Sequence, residues 1–165
     1  MKQTIIQKFF STQEKLPRQT QDFLQWLKKN APSNIDQLIQ ELHDQVFCDV
    51  DCLECANCCK MVGPAIKDID IDRLAKHMKV KPSKLVEVHM MMDDEGDYIF
   101  REHPCPFLMD DNYCMVYEAR PRACREYPHT DRRRAMQLLQ LHKKNIECCP
   151  VVFEVFERLR IKLMT

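Results

Sequence analysis

The chain has 165 residues, 45% of them hydrophobic, and its 25 Lys plus Arg are balanced by 25 Asp plus Glu. That length suits one domain with its own core better than two, and the apolar share excludes an intrinsically disordered chain. Zero formal charge argues against a general nucleic-acid binder, whose phosphate contacts draw on surplus cations.

A single compact domain over 1–165 is predicted, mainly α with a small β-hairpin: a helical N-terminal segment at 1–47, a cysteine-cluster metal-binding core at 48–150, and a C-terminal helix at 151–165. Ile5, Ile6, Phe9 and Phe10 recur at helical spacing within 2–14. Phe23, Leu24, Trp26 and Leu27 do so within 18–29, behind Pro17, a residue suited to a helix start. Ser33 is placed to cap a third helix, with Ile35, Leu38, Ile39, Leu42 and Val46 as its apolar stripe. Residues 68–78 predict a helix burying Ile69, Ile71, Leu74 and Ala75, and Pro82 opens a short one through Leu85 and Val86 toward His89. Residues 93–97 form a turn ahead of a strand at 98–101, and 106–109 with 113–117 predict a hairpin across 110–112. Met136, Leu138, Leu139 and Leu141 support a helix over 131–145. Pro150 opens the last helix, with Val152, Phe153, Phe156, Leu159 and Leu163 on its apolar side.

Compartment decides how cysteines are read. The apolar run near the N-terminus is short for a signal-peptide core and is interrupted by polar residues. No stretch reaches the roughly 20 apolar residues of a membrane span. The expectation is a cytoplasmic protein without a membrane partner, in which thiols stay reduced and clustered cysteines bind metal. The chain has only two glycines, Gly63 and Gly96. Phosphate-cradling loops need several glycines close together so that backbone amides can approach the ligand, so no nucleotide cofactor is expected.

The strongest signal is Cys52-x-x-Cys55-x-x-Cys58-Cys59, followed by Cys105, Cys114, Cys124 and the pair Cys148-Cys149. These nine are the candidate metal ligands. A CxxC knuckle supplies two corners of a tetrahedral zinc site. A CxxCxxC run can instead wrap three corners of an iron–sulfur cluster whose remote fourth cysteine precedes a proline, as Cys149 precedes Pro150. Both metals stay open. If 52–59 were one helix, its four thiols would share an arc of roughly 120° but spread about 10 Å along the axis. One ion cannot span that, so the segment either loops around one centre or serves two. Four thiolates around a divalent ion carry net charge minus two, so the loaded protein is expected to be more acidic than its sequence.

Cys48 follows the helical stripe ending near Val46 and is expected to act as a small hydrophobe. His103 and His129 are candidate nitrogen ligands, with an ordinary surface role as the alternative. Arg120, Arg122 and Arg125 flank Cys124, where they could offset thiolate charge or sit solvated. Arg132-Arg133-Arg134 reads as a solvated charge run at a helix start.

Together, Cys52-x-x-Cys55-x-x-Cys58-Cys59, Cys105-Pro-Phe-Leu and Cys114-Met-Val-Tyr-Glu-Ala-Arg-Pro-Arg-Ala-Cys124-Arg-Glu-Tyr-Pro resemble the YkgJ-type cysteine-cluster family, a zinc- or iron-chelating domain with a CxxCxxCC signature. The resemblance covers about 50–150. It implies zinc or iron, held by Cys52, Cys55, Cys58, Cys59, Cys105, Cys114, Cys124 and one of Cys148 or Cys149. The expected function is metal binding with a mainly structural ion, exerted through an unidentified protein partner or by metal handling. The alternatives are an iron–sulfur redox protein or metalloenzyme, and a thiol redox protein using Cys58-Cys59 or Cys148-Cys149. No residue is assigned a catalytic role, and enzyme status is left open.

Overall fold

The structure, a computed structural model, describes residues 4–12 and 18–165; the helix-start expectation for Pro17 lies outside them. In chain order they form α1 (Ile5–Thr12), α2 (Arg18–Asn30), α3 (Ile35–Phe47), two short turns α4 (Cys52–Cys55) and α5 (Asn57–Met61), α6 (Asp68–Met78) and α7 (Pro82–His89). Strands β1 (Met90–Met92) and β2 (Tyr98–Phe100) follow, then a 3-10 turn at Tyr117–Ala119 and α8 (Arg122–Glu126). A second 3-10 turn at Ala135–Leu138 leads into α9 (Leu139–Ile146) and α10 (Pro150–Met164). The fold is mainly α, as the periodicity predicts. None of these helices is long and apolar enough to cross a membrane. By its internal contacts the chain divides into two units, 1–51 with 128–165, and 52–127.

In the first unit α10 is the central element. Residues 150–156 are buried on every side because α1, α2, α3 and α9 all pack on it. Phe9 of α1 meets Phe153 edge-on with ring centroids 5.7 Å apart. A charge survives in this setting because it is paired: the Glu154 carboxylate accepts from Lys8 Nζ at 2.7 Å and Arg158 Nε at 2.9 Å. Ser33 is not the cap of α3. The helix starts at Ile35 behind Asn34, and the Ile35 amide is satisfied by the Pro32 carbonyl at 3.1 Å, so no hydroxyl is needed there. The helix expected over 131–145 begins only at Ala135. Arg134 takes a left-handed φ of 62°, and three successive cations oppose the positive end of a helix dipole. Asp36 supplies the missing anion, accepting the amides of Arg134 and Ala135 at 2.7 and 2.8 Å.

The second unit is built on a cluster of Ile66, Ile71, Leu74, Leu85, Met90, Phe100, Phe107 and Val116, among others, against which Cys105 and Cys114 pack. Helix α6 matches its predicted limits and, except at Ile69, its predicted buried residues. Asp70, Ile71, Leu74 and Ala75 are buried, while Ile69 is 72% exposed. Positions 70, 71, 74 and 75 line one side of a 3.6-residue period and 69 falls off it. β1 and β2 pair antiparallel, with Met90 opposite Phe100. The turn between them is held by Asp93, whose carboxylate accepts the amides of Glu95 and Asp97 at 3.0 and 2.9 Å. Gly96 there has φ 83°, where a side chain would be strained. The hairpin expected at 106–117 reduces to one bridge, Leu108 opposite Cys114. Asn112 turns that loop with φ 64°, and the chain then tightens into the 3-10 turn.

Candidate metal centre

The Cys52–Cys59 run is not one helix. Ala56 adopts a left-handed φ of 47°, a conformation that costs an ordinary residue about 1–2 kcal/mol, and this separates α4 from α5. Three tethers gather the cysteine-bearing segments of the second unit. Asn112 Nδ2 donates to the Leu53 carbonyl at 2.7 Å, the Cys105 amide donates to the Cys59 carbonyl at 2.8 Å, and Leu108 bridges to Cys114. Cys124 lies in α8, its amide donating to the Pro121 carbonyl at 3.0 Å.

Three sulfurs sit in turns that aim a backbone amide at them. Cys55 accepts from the Asn57 amide, Cys114 from Val116, and Cys105 from Phe107 and Leu108. An N–H two residues on, directed at sulfur, is an arrangement that favours thiolate over thiol. Cys59 is the most acidic of the group, brought down to about 7, first by the Cys58 thiol donating to it and then by the nearby charges of Arg120 and Lys60. Burial dominates elsewhere and pushes the other way: Cys105 rises to about 11 and Cys124 to about 12, while Cys55 and Cys114 also rise.

Each thiolate also penalises its neighbours. Cys124 is raised by Cys59, Cys105 and Cys114, Cys105 by Cys59 and Cys114, and Cys114 by Cys59. Cys59, Cys105, Cys114 and Cys124 are therefore within electrostatic reach of one another in every pairing. Like charges so placed call for a cation. Arg120 partly answers, lowering Cys59, Cys114 and Cys124. Its guanidinium lies 3.6 Å over the Tyr117 ring, and its Nε donates to the Tyr117 carbonyl at 2.9 Å.

The donor set fits zinc or iron by chemistry, since soft thiolates suit both. Among the described residues, however, no three His, Cys, Asp or Glu side chains stand close enough together to hold an ion as arranged. The thiols converge without forming a finished site.

Other expected positions fall elsewhere. Cys52 is exposed on α4. Cys148 and Cys149 belong to the first unit, buried between α9 and α10, with the Cys148 thiol directed at the Asn145 carbonyl, 3.6 Å away. Cys48 does not act as a buried hydrophobe: it is the exposed C-cap of α3, because the inward face passes from Val46 to Val50. His103 is exposed beside Gly63, where an added Cβ would lie 3.4 Å from its Nε2. His129 is half-buried in the first unit. Arg122 spends its charge on Glu126 at 2.7 Å, and Arg125 is exposed. Sequence reasoning missed Lys60, which also donates to the Cys55 carbonyl at 3.1 Å. It missed Asp70 and Arg73 as well, whose only signal was an acidic residue in the first turn of α6.

A family model described as "CxxCxxCC: Putative zinc- or iron-chelating domain" matches residues 51–150. No curated protein and no solved structure matches the chain.

Proposed function

Because the chain belongs to the CxxCxxCC family, we propose that it is a thiolate metal-binding protein whose inner ligands are Cys59, Cys105, Cys114 and Cys124. One observation carries this reading: Cys59 from the first cysteine run and Cys105, Cys114 and Cys124 from residues 105–124 interact in every pairing, each pair showing in the shift of one of its members. A divalent cation would relieve that repulsion and stitch the stretches together. For four thiolates zinc is the first choice, and a closed tetrathiolate site leaves no open position for substrate. The metal is then structural, and function runs through a protein partner or through metal handling in a reducing, cytoplasmic setting.

Cys52, Cys55 and Cys58 are the remaining thiols of the second unit. Their CxxCxxC spacing, with an amide already aimed at Cys55, favours a second reading in which iron and sulfide occupy the site. The family match runs to residue 150 and so includes Cys148 and Cys149, which enter the proposal as further candidates. Serine substitution of each cysteine, read by metal content, assigns them.

The deciding measurement is metal and acid-labile sulfide content of anaerobically purified protein. Zinc without sulfide, in a colourless protein, supports the first reading; iron with sulfide in a brown protein supports the second. Cys59→Ser and Cys124→Ser are each expected to weaken metal binding and to leave the purified protein loaded below one equivalent. Wild-type protein that carries neither metal, and takes up none on reconstitution, would refute both readings.

A further inference from the structure

Asp70 has no part in the cysteine pattern, yet it is the most deeply placed acid of the second unit, with a side chain 1% exposed. Its Oδ1 accepts the Arg122 amide at 3.0 Å and its Oδ2 the Lys67 amide at 3.2 Å, and Arg73 Nη2 pairs with it directly. Burial would raise its pKa, but Arg73 and the two amides together hold it below the usual carboxylate range. Arg73 in turn reaches across to the cysteine-bearing side. Its Nη2 donates to the Arg120 carbonyl at 2.7 Å and its Nε to the Ala119 carbonyl at 3.3 Å. Four backbone groups are thus gripped by one ion pair, three of them in residues 119–122. That short turn carries Arg120, the cation shared by Cys59, Cys114 and Cys124, and leads directly into α8, which carries Cys124.

Stability alone is a poor reason for this arrangement. A partly buried ion pair pays heavily in lost hydration, and apolar replacements of similar volume are often neutral or better. A planar guanidinium forked between two carbonyls and a carboxylate instead fixes direction.

We infer that Asp70 and Arg73 are positioning residues for the metal centre: they clamp the 119–122 turn so that Arg120 and Cys124 face Cys59, Cys105 and Cys114. This rests on the thiolate reading above and adds to it a device outside the cysteine motif. Outer contacts of this kind are typically worth about 10–100-fold in metal affinity.

The test is a double-mutant cycle on the full chain, read by zinc competition against a chromophoric chelator and by the thiolate-to-metal charge-transfer bands of the cobalt-substituted protein. Arg73→Met is expected to weaken zinc binding about 10–100-fold and to reduce the charge-transfer intensity toward that of Cys124→Ser. The double variant should bind no more weakly than Cys124→Ser alone, because both changes remove the same ligand. Arg73→Lys keeps the charge but cannot fork, and should resemble Arg73→Met; it serves if the methionine variant does not fold. Arg120→Met should weaken binding with an unaltered cobalt spectrum, and Arg120→Lys should restore it. Cobalt bands and affinity at wild-type level in both Arg73 variants would overturn the inference, as would full additivity of Arg73→Met with Cys124→Ser. Absence of metal binding by the wild type would sink the thiolate reading and this inference together. Normal binding by Cys124→Ser would overturn the ligand assignment, and the clamp's purpose with it.

Discussion

Two residues of the cysteine run show how backbone and charge prepare single positions. Ala56 sits at φ 47° and ψ 19°, a conformation glycine enters freely and alanine does not. Ala56→Gly is expected to stabilise the metal-free protein by about 0.5–1 kcal/mol, a rise of a few degrees in melting temperature; an unchanged or lower midpoint would contradict the conformation. Cys59 and Cys124 illustrate opposite fates of one functional group. With one near 7 and the other near 12, at pH 7.5 most Cys59 is thiolate, whereas about one Cys124 in 10⁴–10⁵ is. Thiolate is the nucleophile, so among Cys59, Cys105, Cys114 and Cys124 of the metal-free protein iodoacetamide should label Cys59 first and Cys124 last, as mapped by peptide mass. Labelling of Cys124 ahead of Cys59 would contradict this order. The spacing of cysteines was legible in the sequence, but this ranking was not, since it depends on the Cys58 thiol turning toward Cys59, on Arg120, and on desolvation contributed by distant stretches.

At the scale of elements, periodicity located the helices better than it located their contents. α6 was found at its true limits, yet Ile69 and Asp70 exchanged places, because Arg73 and two backbone amides make a buried carboxylate acceptable. β1 went unseen, since three successive methionines carry no alternation and the strand exists only through pairing with β2. The opposite bargain is struck between α9 and α10. His142 is fully buried against Phe156, with ring centroids 5.3 Å apart, and neither ring nitrogen has a hydrogen-bond partner. Burial, reinforced by His129, brings it from 6.5 down to about 4. The unfolded chain therefore takes up a proton below pH 6.5 that the folded chain refuses until about pH 4. Stability is full above that window and falls through it, by about 3 kcal/mol. Urea denaturation at pH 7.5 and 4.5 should show the loss, and His142→Leu should remove most of it. Equal acid sensitivity in that variant would move the effect to another group.

For the whole molecule, periodicity indicated a mainly helical protein, and the cysteine pattern indicated its family. The division at 52 and 127 was not legible, because no Gly- or Ser-rich stretch marks either position. The second unit is also uneven within itself. Its apolar cluster joins α6, α7, β1 and β2 without help from metal, whereas α4, α5 and α8 are only four or five residues long and have little apolar support. Chelating the metal should accordingly speed amide hydrogen exchange over 52–61 and 122–126 while α6, α7 and α10 stay protected. Uniform exchange across 52–127 would mean that the metal, and not the cluster, holds the whole unit.

Since the first unit is completed only by residues 128–165, its order of assembly during translation follows from chain topology. A ribosome adding about 5–20 residues per second incorporates every thiol from Cys52 to Cys124 before α9 and α10. For several seconds the thiols of the Cys52–Cys59 run then stand outside the exit tunnel while α1, α2 and α3 still lack the helix they pack on. Metal capture in that interval would precede closure of the first unit, so a cell short of zinc or iron would meet the defect at synthesis, before any finished protein had lost its ion.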